Sequence, residues 1–221
     1  MDGSVESLSV HLDALKRAGA NLLVIHPQAP RPGCRGLMGV DDQPRRRLFV
    51  TTGGYADALS GFDDDPDPDR LRHVAVAPEL VRSAAAGPAP DASTDPVWRT
   101  TVDSLEALPQ TALAVEEQLS AFEAGDTVSG ELRVCFDSLD PLLETHDLQR
   151  FFRFLHVLTT RVRAATGLGH FHVAAGTDQS TLDTLEPLFD AVVRYRSGPE
   201  GFAQRWRFRD ADIETDWLPV S

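Results

Sequence analysis

Lysine is almost missing from this chain of 221 residues: Lys16 stands alone among 21 basic residues, and the other 20 are arginine. Cysteine and methionine are each present twice. Cys34 and Cys135 lie too far apart in sequence for a metal-ligand spacing, and two free thiols fit a reducing compartment rather than a disulfide framework. No run of 18 apolar residues occurs, so no membrane-spanning helix is expected. The opening "MDGSVESLSV" lacks the basic and apolar regions of a secretory signal.

Acid is what the chain has in excess. Asp and Glu number 34 and the net charge is −13, with aspartate outnumbering glutamate 23 to 11. Such a surface repels polyanions and stays soluble in concentrated salt. The expectation is a salt-adapted cytoplasmic protein with no membrane partner. A hydrophobic share of 42% in strand-like runs argues for a packed core and against disorder.

Those runs alternate with helical patterns. "SVESLSVHLDALKRA" carries Val5, Leu8, Leu12 and Leu15 at helical spacing, which places an N-terminal helix within 1–19. "NLLVI" (21–25) reads as a strand buried on both faces, and "RLFVT" (47–51) and "HVAVA" (73–77) as a second and a third strand. A flexible loop is expected over 84–96, then a strand in "VWRTTV" and a helix over 111–125. "ELRVCF" and "GHFHVAA" are further strands around a helix at 145–165, and a short helix falls near 178–186. "FDAVVRYRSGPEGFAQRWRFRD" has the form of a hairpin, and "IETDWLPV" adds a last short strand. The order implies a single α/β domain over 1–221, three-layered, with a mainly parallel sheet and C-terminal antiparallel strands.

One strand end has the form of a Walker B motif. "RVCFDSL" brings Asp137 and Ser138 to the carboxyl end of a buried strand, where ligands sit in open α/β sheets. Asp-Ser also caps turns in many strands without binding anything. The flanking segments go further. "CFDSLDPLL", "DLQRFFRFLHVLTTRVR" and "GLGHFHVAAGTDQSTLDTLEPLFDAVVRY" resemble the RecA-like ATPases of the KaiC type, closest to a divergent group of them found in haloarchaea. The resemblance spans roughly 18–210 and is specific over 131–195. It implies a RecA-like, P-loop-NTPase-type fold.

The resemblance also implies where an ATPase would keep its machinery, and two parts are missing. A working P-loop follows the first strand as GxxxxGK[S/T], with backbone N–H groups and a lysine on the phosphates. Here "NLLVI" runs into "HPQAPRPGCRGLMGVDD", which holds no lysine. Gly33, Arg35 and Gly36 mark this degenerate P-loop region. Pro27, Pro30 and Pro32 each lack the N–H such a nest needs. In the KaiC-type pattern, glutamate follows the second strand as a general base, whereas this chain has Thr52, Gly53 and Gly54. None of these takes a proton near neutral pH. Asp137 and Ser138 are then a vestigial Walker B, with no catalytic residue assigned and no ATP, magnesium or other cofactor expected. Asp137 is expected to cap the following turn or to hydrogen-bond across the sheet's carboxyl edge.

Other clusters are weaker. Asp63, Asp65, Asp67 and Asp69 lack the glycine and glutamate of a calcium loop and read as a solvated acidic loop. His170 and His172 share a strand face but show no third ligand, so buried hydrogen-bonded histidines are favoured and no metal site is assigned. Ser138 has no nucleophile elbow around it. Arg194, Arg196, Arg205, Arg207 and Arg209 alternate onto one face of the terminal hairpin as a basic interaction face, with pairing to nearby acids as its plain explanation. The resulting expectation is an inactive RecA/KaiC-like pseudo-ATPase acting on a protein partner or on itself, as a regulatory or signalling module. A nucleotide-binding protein using Arg35 and Asp137 is the first alternative. A nucleic-acid module using the terminal arginines is the second, disfavoured because salt weakens phosphate contacts.

Overall fold

In the computed structural model, the described residues are 2–27, 37–39, 45–52, 66–77, 96–125, 130–199, 201–210 and 213–220, with side chains in the first helix described from residue 10. The strands are β1 (Ala20–His26), β2 (Arg46–Thr52), β3 (Leu71–Val76), β4 (Arg99–Val102), β5 (Leu132–Phe136), β6 (Leu168–Ala174), β7 (Ala191–Gly198), β8 (Gly201–Phe208), β9 (Ile213–Glu214) and β10 (Leu218–Pro219). The helices are α1 (Asp2–Ala18), α2 (Leu108–Glu123), α3 (Asp140–Thr145), α4 (Leu148–Ala164) and α5 (Gln179–Leu185). Residues 84–95 of the loop expected over 84–96 lie outside the described residues.

The described strands join one sheet in the order β10-β8-β7-β1-β6-β5-β2-β3-β4, with β9 pairing β8. Every pairing from β7 to β4 is parallel. The pairings of β8 with β7, β9 and β10 are antiparallel. The expected α/β sheet with an antiparallel C-terminal end is therefore present.

The central strands β1, β5 and β6 are buried along almost their whole length because both sheet faces are covered. On the first face, Leu23, Ile25, Val50, Val134, Phe136, Phe171 and Val173 share a core with Leu119 and Phe122 of α2 and Phe151, Leu155 and Val162 of α4. On the second, Leu22, Val24, Val193 and Trp206 pack with Leu12 and Leu15 of α1. The chain turns from α1 into β1 at Gly19, where φ is 78° and a Cβ would lie 2.8 Å from the Arg163 carbonyl oxygen.

The helix expected over 145–165 is α4, and a short α3 that was not expected precedes it. α3 ends at Thr145, and α4 starts afresh because Asp147 accepts the Arg150 N–H at 2.9 Å as its N-cap. On the outer side of α4, Gln149, Arg153, His156 and Thr160 are all exposed. Arg161 clamps α4 to α2: it donates to both oxygens of Glu123, at 3.1 and 2.6 Å, and also to Glu116. Because these carboxylates are nearly half exposed, Arg161→Met should cost only about 1 kcal/mol in low salt. Urea midpoints of the two proteins should draw together in molar KCl, as ion pairs are screened.

Candidate functional site at the carboxyl edge of the sheet

The chain leaves β5 toward β6 and leaves β2 toward β3, so its connections diverge at the β5–β2 boundary. Ligands in open α/β sheets sit outside the carboxyl ends of the strands at such a point. Asp137 directly follows β5 there and Thr52 ends β2.

Asp137 is buried, and its carboxylate is turned onto its neighbour strand. Oδ1 accepts the Thr52 backbone N–H at 2.9 Å and faces the Thr52 hydroxyl at 3.5 Å. That hydroxyl also donates to the Ser138 carbonyl at 2.7 Å, and the Asp137 N–H donates to Val50 O at 2.9 Å. The carboxylate therefore ties two parallel strands together across the sheet's edge. Asp137→Ala would leave a buried N–H without its acceptor, at a cost of about 1–3 kcal/mol. Asp137→Asn keeps an acceptor oxygen, and urea unfolding should place it between the other two proteins.

Ser138 turns the opposite way and donates its hydroxyl to Asp140 Oδ2 at 2.9 Å. Asp140 was not singled out from sequence, yet it organises the edge. Its Oδ1 accepts from the Ala174 N–H at 3.1 Å and from the Thr177 hydroxyl at 3.3 Å. It thus fastens the segment after β5 to the segment after β6. A cavity of about 680 Å³ opens beside it, lined among others by His26, Ser138, Asp140, Glu144, His146 and Thr177. Among the described lining residues the charged ones are carboxylates, and none is lysine or arginine. Gly33, Arg35 and Gly36, with Gly53 and Gly54, lie outside the described residues.

Arg194, Arg196, Arg205 and Arg207 do share one face, because Arg194 stands opposite Arg205 and the others follow at alternate positions on the two strands, and Arg209 lies just past the end of β8. Much of that face is neutralised. Arg205 pairs with Glu214 at 3.0 Å and Arg207 pairs with Glu186. Arg209 donates to the Pro187 carbonyl, and the Arg196 guanidinium lies 4.2 Å from the Trp217 ring centroid.

His170 and His172 are buried on the second face, with His170 Nδ1 and His172 Nε2 2.9 Å apart. Burial pushes the His170 imidazole down to about 3, and the Arg133 charge adds to it. Burial likewise lowers the Arg133 guanidinium to about 10, helped by the charges of Arg45 and Arg47. The third group that sequence spacing did not show is Cys135, brought opposite His170 by the pairing of β5 with β6. Among the described residues, no helix is long and apolar enough to cross a membrane.

Comparison with known proteins places these features in a family. No curated protein matches the chain. The profile of a family of unknown function, DUF7504, matches residues 19–195, a span running from the turn before β1 into β7. That span covers most of the chain and holds Asp137, Asp140 and the buried histidines, so the protein belongs to DUF7504.

Proposed function

We infer that this chain is a nucleotide-silent RecA/KaiC-like domain, a pseudo-ATPase that works by contact as a regulatory or signalling module. One observation carries the reading: the Asp137 carboxylate is engaged by the Thr52 N–H inside the sheet edge, at 2.9 Å. That bond gives the carboxylate a role inside the sheet that needs no metal, since losing it would leave a buried N–H without its acceptor. Three further observations support it. Thr52 stands where the KaiC-type pattern has its glutamates, and Lys16, the only lysine, lies in α1 beside Asp13 at 3.2 Å. The described lining of the edge cavity is acidic, which opposes a polyphosphate. The ion pairs of Arg205 and Arg207 favour a contact surface over nucleic-acid binding, which would have to break them.

The outer side of α4 is the surface best suited to contact. Val157 is 56% exposed there, and Leu148 and Phe152 line a shallow groove with Thr184 and Arg153. Calorimetric titration of magnesium-ATP into the protein in molar KCl tests the reading. The expected result is no heat of binding. Micromolar binding that disappears in Asp137→Ala would overturn it in favour of an altered nucleotide site using Arg35 and Asp137.

A further inference from the structure

The second face of the sheet carries a polar row where the first carries only apolar side chains. Along β5 and β6 the first face presents Val134, Phe136, Phe171 and Val173. The second presents Cys135, His170 and His172, which are 0%, 0% and 1% exposed. Cys135 and His170 are register partners, and His172 follows on the same side of β6. One donor atom from each residue lies within 4.8 Å of the other two. His170 Nε2 has no hydrogen-bond partner among the described residues. Burying imidazole nitrogen without a partner is costly, and packing alone gives no reason for it in this row.

We propose that Cys135, His170 and His172 form a buried binding site for a soft monovalent metal ion, copper(I). The donor set is a thiolate and two neutral imidazoles, which suits thiophilic d10 ions. The short His170–His172 contact requires a lone pair on one of the two facing nitrogens, so at least one ring is neutral. Burial keeps the His170 ring in the neutral form that binds metal.

Two arguments favour copper(I) over zinc. Structural zinc sites take four protein ligands, whereas this group supplies three among the described residues. Copper(I) is satisfied by three. The second argument is charge: a thiolate with copper(I) is neutral, whereas with zinc it keeps one positive charge. That charge would be buried where the Arg133 guanidinium already acts on His170. Binding involves no change of oxidation state. The ion enters, the Cys135 thiol releases its proton to solvent, and the two ring nitrogens donate their lone pairs.

The test is anaerobic titration of copper(I), buffered by a chromophoric chelator in reducing solution, into the full chain. Loading is done both on the folded protein and during refolding from urea, because the site is closed. The expected result is uptake of one ion per chain, with affinity falling at least tenfold in Cys135→Ser and in His172→Gln. X-ray absorption of the loaded wild-type protein should show one sulfur and two imidazole nitrogens, a readout independent of whether the variants fold. Failure of the wild-type chain to take up copper(I) under both loading conditions would overturn the proposal. So would undiminished binding in folded Cys135→Ser, a sulfur-free absorption spectrum, or displacement of copper(I) by zinc at equal free concentration.

Discussion

Phe171→Ala should remove about 3–5 kcal/mol of stability, a large share of the 5–15 kcal/mol that holds a typical domain together. Phe171 sits on the central strand β6 and is 1% exposed. Its ring stacks on Phe136 with centroids 6.0 Å apart and meets Phe189 edge-on at 5.6 Å. Truncation loses the transfer energy of the ring and leaves a void that β-sheet backbone cannot close. For a chain of this size the melting temperature should fall by roughly 6–20 °C. Val157→Ala on the exposed side of α4 should stay within about 0.5 kcal/mol of wild type. Parallel urea melts of the two variants measure the contrast, and similar losses would mean that Phe171 is not in the core.

Acid should unfold this protein earlier than its carboxylates alone would require. His170 is fully buried, and its imidazole is lowered from 6.5 to about 3, by burial first and by the Arg133 charge second. A histidine that is neutral when folded but protonated when unfolded contributes stability that is fully present above pH 6.5. That stability is lost as the pH falls from there toward 3, because the unfolded chain then binds the extra proton. The slope from this one group approaches about 1.4 kcal/mol per pH unit within the window. Between pH 6.5 and 4.5 the loss is therefore on the order of 2–3 kcal/mol. Urea melts of chelator-treated protein across that range should show the slope, and His170→Gln should flatten it. An identical slope in the variant would assign the acid sensitivity to other groups.

Much of the fold was legible because it rests on local patterns. Runs such as "LLVI" and "VCF" are continuous and apolar since both faces of β1 and β5 are covered, and that signal needs no knowledge of neighbours. The arginine face was legible for the same reason, since alternation along β7 and β8 fixes it. α4 was placed to within a few residues, whereas the short α3, with six residues, was too brief to show a helical period. Asp147 marks the start of α4 by accepting the Arg150 N–H. Cys135 and His170 could not be joined from sequence. Parallel strands are linked by long crossovers, so nothing local records that β5 pairs with β6. Asp140 was hidden in the same way, since its partners Ala174 and Thr177 belong to the end of another strand.

The central claim is that Asp137 holds strands together and does not hold a metal–nucleotide complex. Unfolding of wild-type and Asp137→Asn protein by urea in molar KCl, with and without saturating magnesium-ATP, addresses it directly. A ligand that binds only the folded state raises stability by about 2.7 kcal/mol at a hundredfold excess over its Kd. The predicted result is a lower midpoint for Asp137→Asn and no effect of magnesium-ATP on either protein. A midpoint that rises with magnesium-ATP in the wild-type protein, and not in Asp137→Asn, would contradict the account.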